Sequence, residues 1–222
     1  LTILSPKHGD IVASQFQPPS LWGYNKELKD FEWSPAKAQA LLKQAGFAQG
    51  LSEITWEDGK REPLVFWYMS RSRPYFPNPK EIGEAMAADL AKAGIKVQLQ
   101  TAEWAVYLDK RKNGQLPVYM LGWTGDNGDP DNFICYFFCS PGAPREGFYS
   151  NKPLADLLLR AQSLTRQAER ARLYRQAEQM LQEDVGRLFI ANNQPPLAFS
   201  KKVKGYVTNP TGSEHFNTVE VQ

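Results

Sequence analysis

Val118-Tyr-Met-Leu-Gly-Trp-Thr-Gly-Asp-Asn-Gly-Asp-Pro-Asp-Asn-Phe133 runs from four apolar residues directly into a loop with three carboxylates, an indole and three glycines. A short apolar run closed by glycine reads as a buried strand. Asp129-Pro130-Asp131 reads as the start of a helix, with an acidic cap and a proline at the first helical position. The stretch is therefore strand, loop, helix, the repeating unit of parallel α/β sheets. Asp126 stands between glycines in the loop, three residues beyond Trp123.

Working outward, the same logic recurs upstream. Pro63 to Met69 is an aromatic-rich apolar run that predicts a strand. Ile82, Met86, Leu90 and Ala93 fall on one face of a helix predicted from Pro79 to Ala93, with Gly94 as its stop. Ile95, Val97 and Leu99 alternate inward in a strand over 95–100. A short helix from Trp104 to Arg111, closed by Asn113-Gly114, leads to the Val118–Leu121 strand. Strand, helix, strand, helix, strand in this order predicts parallel crossovers.

Nearer the start, Ser34-Pro35 supplies a cap and a first-turn proline for a helix bearing Ala38, Leu41, Leu42 and Ala45, ended by Gly46. Downstream, 133–138 predicts a helical turn, and 154–161 and 167–183 predict two further helices. Leu173, Ala177, Met180 and Leu181 form the core stripe of the second. Arg187 to Ala191 and Leu197 to Phe199 read as strands. The expected fold class is α/β, a mixed, mainly parallel sheet flanked by helices. No internal repeat appears, so the expectation is one domain over 1–222: a lead-in segment 1–33 without periodicity, an α/β core 34–200 and an exit segment 201–222.

Composition narrows the function. Apolar residues make up 42% of 222 and charged residues 23%, ordinary for a globular chain. A net charge of +2 with no basic patch argues against nucleic acid as a partner. No window approaches the roughly 18 apolar residues that a membrane-spanning helix needs. Leu1-Thr-Ile-Leu4 runs into Ser5-Pro-Lys7 with neither an initiator Met nor a signal peptide, which reads as a piece of something longer. Cys135 and Cys139 are four residues apart with no histidine nearby, so zinc is not expected. The pair reads equally as buried thiols or as a disulfide across one helical turn.

Catalysis has little support. His8 and His215 are the only histidines, each among ordinary polar residues, and no Gly-x-Ser-x-Gly elbow accompanies them. No glycine-rich phosphate loop occurs. A calcium-loop register starting at Asn127 puts Asn132 where glycine is needed and Phe138 where the bidentate Glu belongs. Asp126 with Asp129 or Asp131 forms a carboxylate pair of the glycosidase kind, but Asp129 and Asp131 are better read as helix-start residues. Binding is better supplied: Asp126 beside Trp123 suits a ligand ammonium. Arg73, on the loop after the other apolar strand, suits a ligand carboxylate. The alternative for both is a protein partner or solvent. If their loops leave the same sheet edge, one zwitterionic ligand could engage the two, because open α/β sheets bind beyond the carboxyl ends of their strands.

Gly122 to Phe133 resembles the signature loop of the dipeptide-binding proteins that serve bacterial ABC importers, within the dipeptide, oligopeptide and nickel group of solute-binding proteins. Ser34-Pro-Ala-Lys-Ala-Gln-Ala-Leu-Leu-Lys-Gln-Ala-Gly46, Arg73-Pro-Tyr-Phe-Pro-Asn78, Glu103-Trp104 with Tyr107-Leu108, and Val203-Lys-Gly-Tyr-Val207 with Pro210 are similar too, in the family's order. The resemblance implies one lobe, the C-terminal one, of a type II periplasmic-binding-protein architecture that closes by a hinge, with the N-terminal lobe missing from this chain. It implies a periplasmic or other extracytoplasmic, monomeric protein without cofactor, metal or enzymatic activity, delivering dipeptides to ABC transporter permease subunits. A lipid anchor on the full-length protein would be consistent with it.

By the same resemblance Asp126 holds the ligand ammonium, Arg73 its carboxylate, and Trp123 lines the pocket; Tyr75 and Trp67 are added as further pocket candidates. Roomy, watery side-chain pockets place specificity on peptide length. An oligopeptide, nickel or sugar binder on the same scaffold is the alternative, and a carboxylate-pair glycosidase a remote one. The chain departs from the family in its cysteines. Cys139 lies near one half of the family's disulfide, but Phe148-Tyr-Ser-Asn-Lys-Pro153 offers no partner, which leaves Cys135 as a local substitute or an unrelated thiol.

Overall fold

Parallel strands need long crossovers, and this chain supplies them as helices. In a computed structural model the described residues are 11–139, 150–194, 196–209 and 214–222. In chain order the elements begin β1 (Ile11–Val12), α1 (Pro35–Gln44), β2 (Glu53–Thr55), β3 (Arg61–Pro63), β4 (Val65–Trp67), α2 (Pro79–Lys92) and β5 (Gln98–Gln100). They continue α3 (Trp104–Lys112), β6 (Val118–Tyr119), α4 (Pro130–Phe138), α5 (Lys152–Ser163), α6 (Gln167–Glu183), β7 (Ala191–Asn192), β8 (Val203–Lys204) and β9 (Glu220–Val221). The chain forms two compact units. Of the described residues, one takes 30–122 with Ser150; the other takes 11–29, 123–139 and those from 151 onward.

The 30–122 unit is built on a parallel sheet of order β5-β4-β6, with Phe66 opposite Leu99 on one side and Val118 on the other. α2 joins β4 to β5 and α3 joins β5 to β6, as the sequence predicts. Phe66, Met69, Leu116 and Met120 are buried around the sheet. β2 and β3 pair antiparallel beside it. Ser34 Oγ caps α1 by accepting from Lys37 N, and Gly46 adopts φ +91° past its end. α1 fully buries none of its residues: Leu41 is 64% exposed, while Ala38 and Leu42 are half-buried.

In the other unit α4, α5 and α6 pack together around Ile134, Leu154, Leu158, Leu173 and Leu181. Asp129 caps α4, accepting from Asp131 N, with Pro130 first in the helix. Cys135 and Cys139 form a disulfide within the last turn, so of the two sequence readings the structure adopts the local bridge. Phe16 packs edge-on to Phe137 and Phe138, 5.1 and 5.6 Å between ring centres.

Two expected strands are corrected. Residues 187–190 form no strand; pairing with β1 begins at Ile190 and continues through Ala191 and Asn192. Leu188 there is 68% exposed, and Arg187 turns over the Phe137 ring, 4.7 Å from its centre. Leu197 and Phe199 are exposed and unpaired as strand; Phe199 instead packs on Tyr206 at 4.4 Å. Apolar content alone suggested strands where no partner edge pairs with them among the described residues. His8, the first ten residues, Phe148-Tyr149 and Pro210 lie outside the described residues.

Val185 takes φ +50° just past α6, where its N–H reaches Gln182 O at 3.1 Å. A β-branched residue is strained in the left-handed region that glycine occupies freely. Val185→Gly is expected to stabilise the protein by about 1 kcal/mol, seen as a higher thermal midpoint. An unchanged or lower midpoint would mean that the strain is offset by contacts of the side chain.

Candidate functional site

Because β4, β5 and β6 run parallel, the loops that follow them leave the same edge of the sheet. The loop after β4 turns sharply: Arg73 N donates to Phe76 O at 3.0 Å and Phe76 N returns to Arg73 O at 2.9 Å. Pro74 takes the second position of this four-residue turn, where its fixed φ is favoured. Phe76 is buried and anchors the turn from below.

Arg73 is positioned by the first residue of α3. Its guanidinium carbon lies 4.2 Å from the centre of the Trp104 ring, a cation–π arrangement. Trp104 stacks in turn on Tyr107, 5.8 Å between centres at an interplanar angle of 13°. Tyr107 is fully buried and donates to Met120 O at 2.7 Å and to Trp67 O at 3.3 Å, tying α3 to the ends of β6 and β4. Burial holds the Tyr107 phenol above its ordinary value, so it stays a neutral donor. Arg73 Nε is buried without a hydrogen-bond partner, and no carboxylate pairs with Arg73 among the described residues.

Tyr75 lies against the start of the loop after β6. A Cβ added to Gly122 would sit 2.2 Å from Tyr75 Cδ2, so only glycine lets the chain pass the ring. Burial raises the Tyr75 phenol against the pull of Arg73 and Arg111. Trp67, half-buried, carries Lys110 Nζ 5.5 Å from its ring centre. An open hollow of about 390 Å³ at this edge is lined by Tyr68, Ser72, Asn78, Lys80 and Thr101, among others; Arg73, Tyr75 and Trp67 are not among its walls.

Asp126 and Trp123 belong to the other unit, where the three carboxylates divide. Asp129 receives Arg170 Nη1 at 2.7 Å and Nη2 at 2.9 Å. Asp131 accepts from Gln162 Nε2 at 3.0 Å and lies 3.4 Å from Tyr174 Oη. Burial pushes the Tyr174 phenol up to about 12. Both carboxylates are therefore part of the scaffold, as the helix-start reading expected. Asp126 is exposed and pairs with no cation among the described residues. Its partner is Asn132, whose amide also bonds the Trp123 indole N–H at 3.2 Å. Trp123 stacks on Tyr136 at 4.2 Å.

The structure thus groups Arg73, Tyr75 and Trp67 in one unit and Asp126 and Trp123 in the other. Sequence reasoning gave no role to Trp104, Asn132 or Tyr136. The signal for Trp104 was available, since a residue opening a helix after a parallel strand lies at the carboxyl edge. Among the described residues there is no cluster of three metal-ligating side chains, and no helix is long and apolar enough to cross a membrane.

The chain is 37% identical to the dipeptide-binding protein of Escherichia coli K12, over 96% of the chain and 38% of that protein. It is 36% identical to heme-binding protein A of Haemophilus influenzae, over 92% of the chain and 36% of that protein. The structure of a dipeptide-binding protein from Pseudoalteromonas sp. SM9913 in complex with Met-Leu superposes with a TM-score of 0.78 at 25% identity. That match covers 96% of this chain and 40% of the other. The chain thus spans about two fifths of the length of these relatives, and the expected α/β fold of the periplasmic-binding-protein kind is observed. Residues 7–144 match the family described as "Bacterial extracellular solute-binding proteins, family 5 Middle". The chain belongs to the family 5 bacterial extracellular solute-binding proteins.

Proposed function

We propose that the chain is the ligand-gripping lobe of a dipeptide-binding protein that delivers its ligand to the permease subunits of an ABC importer, in the periplasm or an equivalent extracytoplasmic space. Asp126 holds the ligand ammonium beside Trp123, and Arg73 holds the ligand carboxylate, with Tyr75 and Trp67 as further walls. The rest of the protein closes over the ligand, and the assembly acts as a monomeric binder, with an enzymatic role set aside.

One observation carries this reading. Asp129 is neutralised by Arg170, whereas Asp126 and Arg73 have no opposite charge among the described residues. Each is already oriented, Arg73 by the Trp104 face and Asp126 by Asn132. An oriented charge with no opposite charge beside it suits a ligand of opposite charge, since little side-chain ordering remains to oppose binding. A zwitterion with separated ends supplies one partner to each, and gripping both ends selects by length. The names of the E. coli and Pseudoalteromonas relatives agree with a dipeptide.

Calorimetry on the full-length protein tests it with free, N-acetylated and C-amidated dipeptides beside tri- and tetrapeptides. Free dipeptides are expected to bind best. Asp126→Asn is expected to weaken a free dipeptide at least about tenfold and leave an N-acetylated one unchanged. Equal affinity for blocked and free dipeptides would sink the two-ended grip, and saturation by heme with no response to peptides would replace the ligand class.

A further inference from the structure

We infer that Asn132 is a positioning residue that locks Asp126 and Trp123 into one ammonium-binding element. This rests on the assignment of Asp126 to the ligand ammonium. Asn132 lies in the first turn of α4, and its N–H reaches Asp129 O at 3.2 Å. The helix beneath it is fixed by the two-pronged Asp129–Arg170 pair and by buried Ile134 and Phe137. Its side chain therefore projects from a rigid base into a loop whose Gly125 is packed against the Phe133 ring, where an added Cβ would sit 2.4 Å from it.

The amide makes three bonds. Oδ1 accepts from Asp126 N at 2.8 Å and from Trp123 Nε1 at 3.2 Å, and Nδ2 donates to Asp126 Oδ2 at 3.1 Å. Only this orientation works, because the flipped amide would set its NH₂ against two N–H donors and its oxygen against a carboxylate. One planar group thus sets the loop backbone, the carboxylate and the indole in register.

The chemistry of an amide matters as much as its reach. A lysine or arginine here would orient Asp126 but neutralise it, as Arg170 does for Asp129. A neutral donor orients the carboxylate and preserves its full charge for a ligand cation. With Oδ2 engaged, Asp126 Oδ1 is the oxygen left for the ligand, next to an indole whose plane is set by Asn132 and by the Tyr136 stack. Asn132 is in this way a determinant of affinity that never touches the ligand.

The test is a double-mutant cycle in the full-length protein, read by calorimetry with a free dipeptide and its N-acetylated form. Asn132→Ala is expected to weaken the free dipeptide about tenfold and to leave the N-acetylated one within twofold. In the Asp126→Asn background the same change should add less than about threefold, since coupled residues are not additive. The Trp123 indole N–H resonance should shift in Asn132→Ala. Asn132→Asp retains the acceptor to the backbone and the indole, and replaces the donor to Asp126 with a like charge that pushes its carboxylate out of position. It too should weaken the free dipeptide, which keeps the test decisive if the alanine variant unfolds.

Full additivity, or undiminished affinity in both Asn132 variants while Asp126→Asn loses binding, would overturn the positioning role and leave Asp126 as the ammonium ligand. Undiminished affinity in Asp126→Asn would overturn both.

Discussion

Arg73→Ala is expected to raise the dissociation constant of a free dipeptide about a hundredfold, roughly 3 kcal/mol, in the full-length protein. The guanidinium offers a planar fork to a carboxylate, and a bond between two charged groups is about twice as strong as a neutral one. Removing the fork also leaves the ligand carboxylate desolvated without a partner, which adds to the loss. Arg73→Lys keeps the charge but forfeits both the fork and the stack over Trp104, so an intermediate loss of about tenfold is expected. A C-amidated dipeptide should bind the wild-type protein poorly and respond little to either variant. Calorimetry with the two ligands decides it. An unchanged affinity in Arg73→Ala would leave Arg73 as a structural cation on the Trp104 face.

The second large effect concerns stability. Glu178 on α6 is fully buried, with Oε2 accepting from Phe16 N at 2.9 Å and Oε1 from Gln17 N at 2.8 Å. Glu178→Ala strips both backbone donors of their acceptor and opens a cavity, at an expected cost of about 3 kcal/mol. Burial pushes the Glu178 carboxyl up to about 7 from an ordinary 4.5, against the pull of those two N–H groups. The folded protein therefore holds this proton more tightly than the unfolded chain does. The contribution to stability is fully present below about pH 4.5 and is lost as pH rises through about 7. From pH 5 to 7.5 the wild-type protein should lose about 2 kcal/mol relative to Glu178→Gln, which does not titrate. Urea unfolding at the two pH values measures it, and identical pH slopes for the two proteins would show that Glu178 does not titrate in this window.

Much of the fold is legible locally. Ser34-Pro35, Pro79 with Gly94, and Asn113-Gly114 marked helix ends correctly because capping depends on residues a few positions apart. The 167–183 helix matches its predicted bounds for a related reason, a sustained core stripe. Residues 187–190 and 197–199 misled because a strand exists only where another edge pairs with it, and β1 offers two residues. Within the acidic loop, Asp129 and Asp131 were readable as helix-start residues from their neighbours alone. That Asp129 also meets Arg170, 41 positions on, was not readable. Glu178 as the acceptor for Phe16 was hidden for the same reason, across 162 positions.

What the sequence by itself determined is the strand–helix order that makes the sheet parallel, the helix ends, and the presence of an acid and a base on loops that follow strands. Only the tertiary structure decided which charges are neutralised, which are oriented and left unpaired, and that Trp104 and Asn132 do the orienting. Helix caps and apolar periodicity act over a few residues along the chain. Ion pairs, ring stacks and buried hydrogen bonds act through space, between residues that only the completed fold brings together.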